Sequence, residues 1–354
     1  MSAAAPRSCA SCDETGCAMH RRHGLDAAPP ERIAWVLDDV WPEYASLVAA
    51  ALRPQDQLLA PGLFGPRPAR YGWPGAVKHA AGFATAKRHL AMRRVAKAPG
   101  GVRQLAYLAA DRAVARALAR EIDYRAGHLV LAQAWLPWLD EAGMLGGRSF
   151  DVLMSRYPFA EIHRRLDEAA AELGGSPTIA DFRADPALVE RETALLARAR
   201  RIVTPHHDIA ALFPEQAMRL AWHRPPPAAP AKGDRVAFLG PTIARQRPDL
   251  ARALAASLDA PLVVFGAMLE AGNPWAGIAV ERHAFGPDWL DGIGAILHPA
   301  TLTGQPRRLL EAVAAGVTVY ATPACGLDPA DYLPLAAFGR GGAAQTGRAA
   351  RAAA

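Results

Sequence analysis

The chain has no run of about 18 apolar residues, so no hydrophobic helix long enough to span a bilayer is expected. Its first thirty residues lack the basic-then-apolar pattern of a secretory leader, which points to a cytoplasmic, reducing setting. Cysteine is scarce, with four in 354 residues. In a reducing compartment, clustered thiols hold metal more often than they form structural disulfides. Acidic residues are missing altogether between Asp56 and Asp111. The basic residues are not interleaved with base-stacking aromatics, which argues against nucleic acid as a partner.

What is present is apolar mass. About half of the residues are hydrophobic (51%), more than one compact core usually needs, so two domains are expected. The net charge of +6 favours anionic partners without choosing among nucleotides, nucleic acid and a membrane surface. The acid-free tract carries Arg67, Arg70, Lys78, Lys87, Arg88, Arg93, Arg94, Lys97 and Arg103. Within it, "AVKHAAGFATAKRHLAMRRVAK" can form one basic amphipathic helix. Such a helix can lie on an anionic membrane or grip an acidic substrate. The plainer alternative is a solvated helix face whose acidic partners lie elsewhere in the fold.

Three of the four cysteines open the chain in "SCASCDETGCAMHRR". Cys9, Cys12, Cys17 and His20 are spaced C-x2-C-x4-C-x2-H. Two such turns can close a tetrahedron around a structural Zn²⁺. An iron–sulfur cluster can also take Cys3His, and His23 can replace His20. The bland alternative is a tail with incidental cysteines. A closed four-ligand site leaves no open position for catalysis, so the chemistry is sought elsewhere.

Further along, short apolar runs alternate with helical stretches: "RIAWVLDDV", "QLLAPG", "GHLVLAQAWLPWL", "SFDVLMSRYPF" and "RRIVTP" before residue 223, and "RVAFLGP", "APLVVFG", "IAVERHAF", "GAILHP" and "VTVYATP" after 234. Strand–helix alternation of this kind means α/β units with parallel sheets. The proline-rich "HRPPPAAPAKGD" separates the two series. The expected organisation is a metal-binding segment at 1–25, a Rossmann-like domain at 31–224, a second at 233–338, and a disordered low-complexity tail at 339–354. The expected fold class is α/β, with two Rossmann-like domains facing a cleft. Parallel sheets bind ligands beyond the carboxyl ends of their strands.

"LHPATLTGQPRRLLEAVAAGVTVYAT" resembles the C-terminal signature of retaining nucleotide-sugar glycosyltransferases of the GT-B type. The resemblance extends in weaker form over about residues 150–325. It includes "RVAFLGPTIARQR" as first strand and phosphate loop of a donor domain, and "ERETALLARARRIVTPHHDIAALF" as the end of the N-terminal domain. It implies a nucleotide-sugar donor; a lipid-linked or polysaccharide acceptor at an anionic membrane face would suit the basic tract. Glu311 falls on the glutamate that binds ribose hydroxyls, Gly304 on the turn glycine and Gly316 on the glycine after the helix. Arg245 and Arg247 fall where basic residues clamp the donor diphosphate. The chain departs from the pattern at Thr303, which stands in place of the first glutamate, at Pro306 in place of the second turn glycine, and at Thr318 in place of the usual proline.

Elementary chemistry supports parts of that assignment. Arginines and helix N-termini can stabilise a leaving diphosphate without metal, and Arg245, Arg247, Arg307 and Arg308 fall at expected helix starts. A carboxylate such as Glu311 can hold two hydroxyls by charge-assisted hydrogen bonds. The alternative for Glu311 is a solvated helix position. His206 follows a strand end and could contact acceptor or diphosphate, or simply cap a helix. His298 ends another strand and could line a donor pocket or be a satisfied core histidine. Asp38, with Asp39, could act on the acceptor or terminate a strand. Two rival functions remain: a GT-B-like binding protein without turnover, and a zinc-knuckle nucleic-acid binder.

Overall fold

The computed structural model describes residues 32–63, 69–226, 231 and 233–339. Cys9, Cys12, Cys17 and His20, together with Arg67 and the tail from residue 340, lie outside the described residues. Contacts divide the chain into two compact units. The first runs up to Ala160 and adds Phe182–Thr204 and Phe213–Ala221. The second takes Glu161–Asp181, Pro205–Leu212 and everything from Trp222 onward.

The first unit is built on a seven-stranded sheet in the order β3-β2-β1-β4-β5-β6-β7. Its strands are β1 (Ile33–Val36), β2 (Gln57–Pro61), β3 (Val77–Ala80), β4 (His128–Ala132), β5 (Ser149–Leu153), β6 (Arg201–Thr204) and β7 (Ala217–Arg219), and every neighbouring pair is parallel. The central strands are nearly continuous apolar runs, as expected where helices cover both faces. Leu129, Leu131, Val152 and Ile202 are fully buried. The associated helices are α1 (Pro42–Ala51), α2 (Gly82–Val95), α3 (Gly100–Ala119), α4 (Leu136–Glu141) and α6 (Pro186–Arg198). Helix α6 starts where Asp185 accepts a hydrogen bond from the Ala187 amide at 2.9 Å and Pro186 fills the first helical position.

The second unit carries a six-stranded sheet in the order β10-β9-β8-β11-β12-β13, again parallel throughout. Its strands are β8 (Arg235–Leu239), β9 (Leu262–Phe265), β10 (Val280–His283), β11 (Ile293–His298), β12 (Thr318–Ala321) and β13 (Leu333–Pro334). Alternation along β8 is clear: Ala237 and Leu239 enter one core cluster, Val236 and Phe238 the other. Helices α5 (Phe159–Leu173), α7 (His207–Ala211), α8 (Pro248–Ala255) and α9 (Arg307–Ala314) complete this unit. Gly316 ends α9 in the left-handed region (φ 75°), where a side chain would be strained. Two Rossmann-like α/β domains are therefore present.

The single amphipathic helix expected over 76–97 is corrected. Val77–Ala80 forms β3, paired with Leu58–Pro61, and the helix begins only at Gly82, after Ala81 in the left-handed region (φ 59°). Sheet pairing overrides local helix preference there. The short edge strands β7 and β13 also carry no sequence signal of their own. Their neighbours, rather than their composition, hold them extended.

Candidate functional site

In each sheet the strand order reverses once, between β1 and β4 in the first and between β8 and β11 in the second. Loops leaving the carboxyl ends at such a reversal diverge and leave room for a ligand.

In the second unit the loop after β8 begins at Gly240. A Cβ on that residue would stand 2.2 Å from the Phe265 carbonyl oxygen, so only glycine fits. The loop continues through Arg245 to Arg247, which takes a left-handed conformation (φ 56°) just before α8. The loop after β11 runs from Pro299 to Pro306 into α9. The two loops are stitched together, since the Thr301 amide donates to the Arg245 carbonyl at 3.0 Å.

Both arginines are already held by carboxylates. Arg245 reaches the Thr178 carbonyl at 3.3 Å and Asp181 at 3.5 Å. Arg247 pairs with Asp249 at 2.9 Å and Glu172 at 2.8 Å. Arg247 also lines a cavity of about 320 Å³ whose floor includes Thr301 and Thr322, at the carboxyl ends of β11 and β12. A second cavity, about 330 Å³, opens beside β8 and β9 with Thr242, Asn273 and Glu270 in its wall. Burial tends to raise the Glu270 carboxyl, but hydrogen bonds from Thr178, Ala244 and Ser176 outweigh it and hold it low.

Thr303 is gripped from two sides. His206 sits at the start of α7, where its Nδ1 accepts from the Ile209 amide at 3.2 Å. That fixes the proton on Nε2, which donates to the Thr303 carbonyl at 3.0 Å. His298, the last residue of β11, meets the Thr303 hydroxyl through Nε2 at 2.9 Å. Burial pushes both imidazoles down to about 4, so both are neutral at physiological pH. Gly326 closes against His206. A Cβ there would lie 2.3 Å from the ring, and its carbonyl accepts from the His207 amide and the Trp222 indole. His206 is thus a helix cap and loop clamp with both ring nitrogens engaged.

Beyond Thr303 the chain surfaces at Gly304 and Gln305, both exposed, and enters α9. Leu310 is bonded back to Pro306 at 2.9 Å, so the first turn presents N–H groups outward. Arg307 lies over the Trp222 ring at 5.4 Å. Glu311, one turn in, is part-exposed. It accepts from the Trp289 indole at 3.0 Å and from Arg308 at 2.7 Å. Arg308 in turn lies over Phe285 at 4.8 Å, and Phe285 stacks on Phe265 at 5.0 Å. The sequence offered no signal for Trp289 or Phe285. Trp289 reaches Glu311, and Phe285 reaches Arg308 beside it, only through the packing of the β10–β11 connection against α9.

Asp38 belongs to the first unit, at the end of β1. Arg88 holds it in a bidentate pair at 2.9 and 3.1 Å and also contacts Asp111 at 3.0 Å, without the alignment of a hydrogen bond. Burial raises the Asp38 carboxyl, and raises Asp111 to about 7, against the pull of Arg88. Asp39 pairs separately with Arg70 at 2.8 Å. The structure therefore gathers His206, His298 and Thr303 in one cluster, puts Arg307, Arg308 and Glu311 on one helix start, and joins the Arg245 loop to the Thr301 loop. For metal, no group of three or more His, Cys, Asp or Glu among the described residues could hold an ion, and zinc finds no support there.

No family model matches the chain, and no curated protein matches it. Solved structures do. A lipopolysaccharide outer core galactosyltransferase, WaaB in its apo form, is 10% identical, with 85% of this chain and 83% of that one covered and a TM-score of 0.45. Os79 from O. sativa, in complex with UDP, is 16% identical over 86% and 88% of the two chains, with a TM-score of 0.44. An α,α-trehalose-phosphate synthase (UDP-forming) from Burkholderia vietnamiensis is 10% identical over 86% and 89%, with a TM-score of 0.42.

Proposed function

We propose that the protein is a glycosyltransferase that takes its sugar from a nucleotide-sugar donor bound at the carboxyl edge of the second sheet. The observation that carries this reading is Glu311. It is a part-exposed carboxylate one turn inside α9, beside the reversal of strand order and behind the exposed Gly304–Gln305 turn. It stands where the sequence resemblance places the ribose-binding glutamate.

In this reading the ribose hydroxyls donate to Glu311, displacing part of its bonding to Arg308 and Trp289. The first turn of α9 and Arg307 receive the diphosphate, and Arg245 and Arg247, in the loop joined to Thr301, give up part of their pairing with Asp181, Asp249 and Glu172 to neutralise charge as it leaves. Transfer breaks the bond between the anomeric carbon and the donor phosphate oxygen. It forms one from that carbon to an acceptor hydroxyl, whose proton leaves with the departing nucleoside diphosphate. His206 is not the base in this scheme, because its acceptor nitrogen is already occupied by Ile209. His298 and His206 instead set the height of the Thr303 loop that leads into α9.

The test is a panel of nucleoside diphosphates scored by melting temperature. One of them is expected to stabilise the protein, since a ligand bound to the folded form alone raises stability by mass action. Glu311→Ala is expected to weaken that nucleotide about tenfold to a hundredfold, as loss of a charged hydrogen-bond partner does. No shift with any nucleotide, or an unchanged shift in Glu311→Ala, would overturn the reading. One observation favours a second reading, a binding protein without turnover. Thr303 stands where the resemblance expects a glutamate, and both its polar groups are taken by histidines. Nucleotide binding without release of sugar from any donor would select that reading.

A further inference from the structure

We infer that the outer face of α2, with the first turn of α3, is a docking surface for an anionic lipid bilayer. This goes beyond the donor-site reading and does not depend on it. Phe83, Lys87, Leu90 and Arg94 recur at spacings of four, three and four, which puts them in one stripe along α2. All four are exposed, Phe83 to 80% and Leu90 to 49%. The opposite stripe turns inward: Thr85 is fully buried and Arg88 is spent on Asp38 and Asp111. α3 packs beside α2 and exposes Val102 (51%) and Leu105 (67%) in its first two turns. Lys87, Arg93, Arg94 and Lys97 are exposed and form no ion pair with a carboxylate among the described residues.

The charge pattern selects the occupant. Between Asp56 and Asp111 there is no acidic residue to repel an anionic surface. Arg70, Lys78 and Arg88 of this tract do find carboxylates within the fold, whereas Lys87 and Arg94 on the outer stripe, with Arg93 and Lys97 near its end, pair with none among the described residues. Large apolar groups and cations share that stripe instead of occupying opposite faces. A bilayer interface accepts both at once: phenyl and leucyl groups enter the acyl boundary while ammonium and guanidinium groups meet phosphates. A nucleic-acid backbone would meet the cations but leave Phe83, Leu90 and Leu105 against water. No helix among the described residues is long and apolar enough to cross a membrane, so the contact is with the surface.

The experiment is flotation of the full chain with vesicles of phosphatidylcholine alone and of phosphatidylcholine mixed with phosphatidylglycerol, beside a gel-shift with a random single-stranded RNA. The protein is expected to float with the anionic vesicles only and to dissociate as salt rises. Each cation removed should weaken partitioning by about fivefold, so Lys87→Glu/Arg94→Glu should lose well over tenfold. Phe83→Ser/Leu90→Ser should also weaken flotation, and more so at high salt, where the apolar share remains. All four side chains are exposed, so an unchanged melting temperature and an unchanged nucleotide shift identify the losses as surface effects. Failure to float with anionic vesicles, flotation unaltered by either pair of substitutions, or RNA binding in place of vesicle binding would each overturn the inference.

Discussion

The two strand-order reversals share a topology and are furnished oppositely. In the first unit the end of β1 is ionic: Asp38 and Asp111 share the one guanidinium of Arg88, which also lies over the Trp135 ring at 5.1 Å. In the second the end of β11 is neutral: His298 and His206 hold a threonine between them. Burial acts on both sets in the same way, disfavouring the charged form. It moves the carboxyls up and the imidazoles down. The first site answers with a shared counter-ion, and the second answers by giving up charge. A buried charge cluster breaks badly when one member is removed, whereas a neutral cluster loses one hydrogen bond at a time.

The sharpest break of this comparison is Arg88→Ala. It leaves two buried carboxylates without their cation, and a loss of about 3–5 kcal/mol is expected in denaturant unfolding. Arg88→Ala/Asp38→Asn should recover part of that loss. Gly326→Ala comes next. It places a methyl against the His206 ring at a left-handed position (φ 75°), and about 2–4 kcal/mol is expected from the overlap and the backbone together.

The third is a pH profile, and here the two sites oppose each other. His206 and His298 bind their protons less readily when folded, at about 4, than the ordinary imidazole at 6.5. The stability they permit is complete above 6.5 and falls as pH drops toward 4, by up to ~3 kcal/mol for each. Asp111, raised to about 7, behaves in the reverse sense: the folded form holds its proton more tightly, so its share of stability is lost as pH rises from about 4 through 7. His298→Phe should flatten the acid limb of a melting curve series, and Asp111→Asn the limb toward neutral pH. The same slope in the wild type and both variants would show that neither group is responsible. The smallest effect is Thr303→Val, which removes the His298 partner but keeps the carbonyl that His206 uses. About 1–2 kcal/mol is expected by thermal melting.

How much of this was legible in the sequence depends on reach. Strands such as "GHLVLA" and "GAILHP" announce themselves because a strand buried on both faces must be apolar along its whole length. The edge strand Val77–Ala80 did not, because half of it is polar and its extended form comes from pairing with β2. The position of Glu311 one turn inside a helix follows from local spacing. Its bond to Trp289 crosses 22 positions and that of Arg88 to Asp38 crosses 50, and no periodicity reports such distances. The acid-free tract was visible as composition. Which of its cations pair with carboxylates was settled only by the fold.

One described cysteine bears on how the second unit can be watched. Cys325 is fully buried, and burial pushes its thiol up to about 12, so in the folded chain it is both shielded and unreactive. With Cys9, Cys12 and Cys17 changed to serine, a thiol reagent would find it only when the segment after β12 lifts away from the sheet. The rate of labelling then becomes a stopwatch for the opening of that half of the protein, read from a single sulfur that nature has already placed there.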